Sequence, residues 1–112
     1  MEKANIIYFV SILACAMTFL AISVWAFTSK NPVNFWAGEK ISADSISDIK
    51  KYNHAYGVMW LIFGLCWLIT AVLGLFSLSI SIVVLVVLNT VGLVTLVLVN
   101  NKIRKRYMKT TR

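Results

Sequence analysis

The sequence has few charged residues, and it has even fewer of the residues that build catalytic or metal sites. Only 13% of its 112 residues are charged, against ~25% in ordinary soluble domains. It contains four acidic residues, one histidine, one proline and two cysteines. A disulfide framework needs more cysteines in a loop-rich chain, so we interpret Cys15 and Cys66 as small apolar residues. We find no catalytic constellation and no metal or cofactor site, and we predict that the protein is not an enzyme.

Long uncharged runs take up most of the chain, and 60% of its residues are hydrophobic. Residues 6–27 would form a helix of ~33 Å, which is enough to cross a hydrocarbon core of ~30 Å. This run is longer than the ~7–15 apolar residues of a signal peptide, so we expect it to be retained. Residues 55–99 carry no formal charge, and a single helix of that length would be about twice the bilayer core. They must fold back, and Ser77 and Ser79 mark the best place for the break.

These runs predict an all-α membrane protein with a single domain, residues 1–112. Its three transmembrane helices would lie at about 6–27, 56–76 and 80–99, with a loop at 28–55 and a basic tail at 100–112. Helix is preferred over strand for the last run because a lone open strand cannot satisfy its backbone in lipid.

Each predicted helix carries a line of small or polar residues at helical spacing. Residues of this kind are used where two helix backbones approach closely in a membrane. The lines are Ser11, Ala14, Cys15, Thr18 and Ala21 in the first helix, Gly57, Gly64 and Ala71 in the second, and Asn89, Gly92 and Thr95 in the third. An unsatisfied amide in lipid costs several kcal/mol, so Asn89 should hydrogen-bond inside the bundle. A packing role is favoured over a substrate site.

The positive charges are distributed very unevenly along the chain, whose net charge is +7. Ten of the eleven basic residues fall in the central loop (Lys30, Lys40, Lys50 and Lys51) or in the tail (Lys102, Arg104, Lys105, Arg106, Lys109 and Arg112). With three spans the loop and the tail share one side, and the positive-inside rule places that side in the cytoplasm and the N-terminus outside. The tail is expected to contact anionic lipids. Nucleic acid is not an expected partner, because it would require a basic face on a folded domain.

The central loop is long enough to have structure of its own. Pro32 should end the first helix, Phe35 and Trp36 suit the headgroup level, and Gly38 permits a turn. Ser42 or Ser45 would then cap a short interfacial helix, which runs or bends into the second span at Gly57.

The acidic residues Asp44 and Asp48 would lie near the N-terminus of that interfacial helix. Lys50 and Lys51 would be positioned for lipid phosphates. His54 could act as a proton-handling partner of Asp48, or as a metal ligand with Glu39. One histidine gives a poor ligand set, so a polar anchor is the favoured interpretation.

The loop also carries the pattern F-W-x-G followed by D-x-x-x-Y-N-x-x-x-G at the start of a span. Its residues are Phe35, Trp36, Gly38, Asp48, Tyr52, Asn53 and Gly57. This pattern resembles that of a group of small three-helix bacterial membrane proteins of unknown function, found mainly in Firmicutes. The group is distantly similar to the immunity family that protects cells from a sporulation-delaying peptide toxin. The immunity family has a Gly-aromatic-Arg-Thr turn where this chain has F-W-A-G-E-K. The resemblance implies a protein of the bacterial cytoplasmic membrane.

Two classes of function remain open at this point. The first is intramembrane binding of a partner protein or a membrane-active peptide, as an immunity-like protein or an accessory subunit that forms a homo-oligomer or joins a larger complex. The alternative is a holin-like pore former, or else a small transporter subunit. Ion-coupled carriers normally hold a charged residue inside the membrane, and no predicted span contains one.

Overall fold

The computed structural model describes residues 3–35 and 41–108, which form three long α-helices. The helices are α1 (Lys3–Thr28), α2 (Ile49–Phe76) and α3 (Leu78–Tyr107). At 1.5 Å per residue they are about 39, 42 and 45 Å long. All three are long and apolar enough to cross a membrane. The predicted all-helical class with three long apolar helices is therefore confirmed, and it suggests a multi-pass membrane protein.

The central helix of the bundle is α2, which packs against both α1 and α3. Three of its glycines show that α1 runs antiparallel to it, since Gly57 meets Phe27, Gly64 meets Leu20 and Gly74 meets Tyr8. The outward surfaces of α1 and α3 are rich in exposed aliphatic side chains, such as Ile7 and Val83. This is the surface composition that a lipid environment favours over water.

A single residue, Ser77, separates α2 from α3. Its backbone N–H donates to the carbonyl of Leu73 at 2.8 Å, and its hydroxyl accepts from the N–H of Ile80 at 3.3 Å. One serine thus ends α2 and caps α3. The break predicted between residues 76 and 79 lies here.

The connection between α1 and α2 differs from the prediction. Among the described residues it contains one 3-10 turn, Ala43–Ser45, capped by Ser42, and no separate interfacial helix. Instead, α2 begins at Ile49, where the carboxylate of Asp48 accepts from the N–H of Lys51 at 3.1 Å. It continues through Gly57 without interruption. Part of the predicted interfacial helix therefore forms the first two turns of α2. The N-cap of α2 is Asp48, and neither Ser42 nor Ser45 caps this helix.

The third helix extends eight residues beyond the predicted end at residue 99. Its last turns carry Arg104, Lys105 and Arg106, and cations at a helix C-terminus interact favourably with the helix dipole. The loop between α1 and α2 contacts the C-terminal end of α3. The N–H and the hydroxyl of Ser47 both donate to the carbonyl of Tyr107, at 2.7 and 2.9 Å, and Ile46 forms an isolated β-bridge with Met108.

Candidate functional site

The side-chain hydrogen bonds between separate segments lie mainly at the two ends of the bundle. We call the end built from residues 29–35, 41–56 and 100–108 the loop end, and the end near Ser77 the hairpin end. At the hairpin end, Tyr8 donates to the hydroxyl of Ser81 at 2.7 Å, and Ser81 donates to the carbonyl of Thr70 at 2.7 Å. These two bonds tie all three helices together.

At the loop end, Asn53 holds the first residues of the loop. Its side chain is only 2% exposed. Its Oδ1 accepts from the N–H of Val33 at 3.0 Å, while its Nδ2 donates to the carbonyls of Ser29 and Asn31 at 3.2 and 2.8 Å. One amide therefore satisfies three backbone groups just after α1 ends, as buried backbone groups require.

Tyr52 completes this arrangement, which we call the Tyr52–Asn53 clamp. Its hydroxyl donates to the carbonyl of Val33 at 2.8 Å, and both side chains are buried. Val33 thus has its N–H and its carbonyl bound by adjacent residues of α2. Tyr52 and Asn53 belong to the loop pattern that is a candidate for partner binding or for a structural role, and they make structural contacts within the chain.

A second buried polar group at the loop end joins α2 to α3. The hydroxyl of Tyr56 donates to Oδ1 of Asn100, and Nε of Arg104 donates to the same oxygen at 3.2 Å. Asn100 was not predicted as a functional or packing residue. Its position where the apolar run ends was the only available signal, and that position did not reveal that the side chain is buried.

The small residues of α2 lie against α1. A Cβ added at Gly57 would lie 2.6 Å from Cε1 of Phe27, and one at Gly64 would lie 2.9 Å from Cδ2 of Leu20. Ser23 of α1 also donates to the carbonyl of Gly57 at 2.7 Å. The groove predicted along Gly57, Gly64 and Ala71 is therefore occupied at its two glycines by residues of the same chain, and Ala71 is fully buried.

The small residues predicted as a packing line in α1 are exposed, unlike those of α2. All of its members are exposed and lie on what we call the outer α1 face: Ser11, Ala14, Cys15, Thr18 and Ala21. The hydroxyls of Ser11 and Thr18 donate to carbonyls of their own helix, at 2.8 and 2.9 Å. The residues that α1 buries instead include Ile12, Ala16 and Ala26. The line of small residues predicted as a helix-packing surface thus faces outward.

An apolar groove of about 550 Å³ runs between α2 and α3, and we call it the α2–α3 groove. Its α2 wall consists of Ala55, Val58, Met59, Ile62, Phe63 and Cys66, and its α3 wall of Leu88, Gly92, Thr95, Leu96, Val99 and Ile103. Gly92 lies close to the ring of Phe63. Asn89 is half-buried and donates to the carbonyl of Leu85 at 2.8 Å. This hydrogen bond lies within α3 and does not join α3 to another helix.

The aromatic residues pack around the middle of α2. Phe35 stacks on Trp60 with 5.8 Å between ring centroids, so this residue of the first loop packs against α2. Phe19 of α1 contacts Trp60 and Trp67 from the opposite helix. Nε1 of Trp67 is buried and has no hydrogen-bond partner within the described part of the chain. Trp36 and Gly38 lie outside the described residues.

The charged candidates gather at the loop end. Lys102, Arg104, Lys105 and Arg106 occupy the last two turns of α3, and Lys50 and Lys51 occupy the first turn of α2. His54 is exposed, with its ring 5.2 Å from that of Phe27. Within residues 3–35 and 41–108, no three potential metal ligands come together. Glu39, the other ligand considered for His54, lies outside those ranges.

These observations define the class as a three-helix protein with membrane-spanning proportions, in which α2 is central. Polar contacts join the helices near their ends, and the outer α1 face and the α2–α3 groove are two open surfaces among the described residues. Comparisons with protein-family models, curated proteins and solved structures found no match.

Proposed function

We propose that this protein is a non-enzymatic protein of the bacterial cytoplasmic membrane that binds a helix within the bilayer. The helix would belong to a partner protein or to a membrane-active peptide, so the protein would act in an immunity-like role or as an accessory subunit. The exposed outer α1 face is the observation that carries this proposal.

Helices in lipid associate through close packing, because lipid tails are as apolar as the side chains themselves. A row of small residues permits that close approach. On the outer α1 face the hydroxyls of Ser11 and Thr18 are already bonded within the helix, so an incoming helix would meet no unsatisfied donor. The glycine groove of α2 is filled by Leu20 and Phe27. The outer α1 face stays open to a partner.

Photo-crosslinking tests this surface in bacterial membranes. A p-benzoylphenylalanine replaces Met17, which is 56% exposed beside the outer α1 face, in the full-length protein. We expect a single discrete protein or peptide adduct, either with a second copy of the chain or with one partner. The variant Ala14→Leu should reduce its yield at least fivefold, since a bulky side chain holds the helices apart.

The matched control is Val24→Leu, which enlarges an exposed residue of α1 outside the small line and should leave the yield unchanged. Adducts with lipid alone, or equal yields for both variants, would contradict the proposal. A membrane-potential dye separates the holin-like alternative, because abrupt depolarisation on expression is expected of a pore former. Improved survival of expressing cells challenged with a sporulation-delaying peptide would identify the immunity-like role.

We also propose that the loop end lies in the cytoplasm and that the N-terminus lies outside, which the distribution of ten of eleven basic residues supports. Alkaline phosphatase, which is active only outside the cytoplasm, tests this orientation. A fusion after Ser77 should be active and a fusion after Arg112 inactive, with green fluorescent protein giving the reverse pattern. An active phosphatase after Arg112 would overturn the orientation.

A further inference from the structure

The α2–α3 groove has the dimensions of one leaflet. Its wall on α2 extends from Ala55 to Cys66 and its wall on α3 from Leu88 to Ile103, which correspond to about 16 and 22 Å along the helices. Half of a ~30 Å hydrocarbon core is ~15 Å. The groove therefore covers roughly one leaflet, and it is the leaflet next to the loop end.

The helices that form the groove are joined by hydrogen bonds toward both of its ends. Ser81 of α3 binds the carbonyl of Thr70 near the hairpin, and Tyr56 binds Asn100 near the loop end. Gly92, which has no side chain, helps to form the α3 wall between these contacts, and Ala55 lies next to the loop-end contact. Hydrogen bonds thus join the two helices on either side of the middle of the groove.

The groove opens onto basic residues at its loop end. Ala55 also lines an adjoining cleft of about 400 Å³, together with Lys50, Lys51, His54 and Tyr107. On the other wall, Val99 is shared with a cleft that Lys102 and Lys105 line. Lysines thus stand on both sides of the groove mouth.

The described part of the loop end contains seven basic residues and two acidic ones, Asp44 and Asp48. The carboxylate of Asp48 is engaged at the N-cap of α2. The charge of the described residues at the loop end is therefore net positive. An anionic headgroup fits this field, whereas a zwitterionic headgroup places a compensating cation in it.

We propose that the α2–α3 groove binds an anionic phospholipid. One acyl chain lies along the groove, and the phosphate faces Lys51 and the lysines of α3 at the loop end. The apolar lining accounts for the chain and the basic mouth accounts for the headgroup. A transmembrane helix or a second copy of the protein would use the lining without the charges at its mouth.

Native mass spectrometry of the full-length protein in detergent tests this site. The protein is titrated with phosphatidylglycerol and, separately, with phosphatidylcholine that carries the same acyl chains. We expect tighter binding of phosphatidylglycerol. Lys51→Gln should weaken it about fivefold, the equivalent of the ~1 kcal/mol that one basic residue contributes at an anionic surface. Binding of phosphatidylcholine should not change.

One control variant tests the charges at the groove mouth, and another tests the apolar groove itself. Lys30→Gln removes the same charge from a residue that lines a different cleft at the same end, and it should have little effect. Thr95→Phe fills the groove from an exposed position and should weaken both lipids, whereas Val94→Phe, also exposed on α3, should not. None of the four positions belongs to the buried core.

Equal affinity for the two lipids would overturn the proposal, as would equal effects of Lys51→Gln and Lys30→Gln. A dimer that Thr95→Phe converts to a monomer would show that a second copy of the chain covers the groove instead. The lipid-binding measurements do not involve the outer α1 face. The lipid site can therefore be contradicted without contradicting the proposed function, and the reverse also holds.

Discussion

Replacing Asn53 with alanine is expected to lower the free energy of unfolding by about 3 kcal/mol, since it removes three hydrogen bonds of roughly 1 kcal/mol each. The N–H of Val33 and the carbonyls of Ser29 and Asn31 lose their partner. Because Val33 is only 1% exposed, water does not readily replace the bond to its N–H. The measurement is unfolding of the purified protein in mixed micelles with increasing dodecyl sulfate, followed by circular dichroism.

The matched control for this prediction is Asn101→Ala, since Asn101 is exposed on α3. Its effect should stay within about 0.5 kcal/mol, as for most surface substitutions. Tryptic cleavage at Lys30, which the clamp holds close to α2, should also accelerate in Asn53→Ala alone. Equal stability of the two variants would show that the Tyr52–Asn53 clamp does not stabilise the loop end.

Replacing Gly64 with valine is expected to destabilise the contact between α1 and α2 by about 3 kcal/mol, the upper range for overpacking. A Cβ at this position would lie 2.9 Å from Cδ2 and 3.2 Å from the backbone nitrogen of Leu20. The leucine side chain can rotate away, but its backbone nitrogen moves only if α1 moves. Tryptophan fluorescence reports the change, because Trp60 and Trp67 contact Phe19 of α1.

Leu65→Val is the control for this second substitution. It introduces the same β-branched side chain into the next residue of α2, which is 43% exposed, and it should change stability by less than about 0.5 kcal/mol. If Gly64→Val unfolds at the same dodecyl sulfate fraction as Leu65→Val, then close approach of α1 at Gly64 does not stabilise the bundle.

The helical framework could be predicted from the sequence because its signals are local. The uncharged runs predicted three long apolar helices, and the serines after Gly74 placed the turn that the structure puts at Ser77. The start of α2 and the end of α3 were predicted less accurately. The polar residues between Ile49 and Tyr56 belong to no apolar run, yet Asp48 caps them into α2.

The candidate site was predicted only in part. The pattern of the central loop drew attention to Tyr52 and Asn53, but the sequence could not show that their partners are the backbone groups of residues 29–33. Asn100 was missed for a related reason. Its hydrogen bond with Tyr56 joins residues 44 positions apart, and no local pattern records such a pairing.

The sequence by itself determined the number of helices, their class and the concentration of positive charge at one end of the bundle. Run length and charge are properties of consecutive residues and need no tertiary contact. Only the tertiary structure decided which face of α1 is buried. That helix has small residues on two faces, and the buried face is the one from which Leu20 and Phe27 reach the glycines of α2. The other face stays outward, where we propose that a partner helix binds.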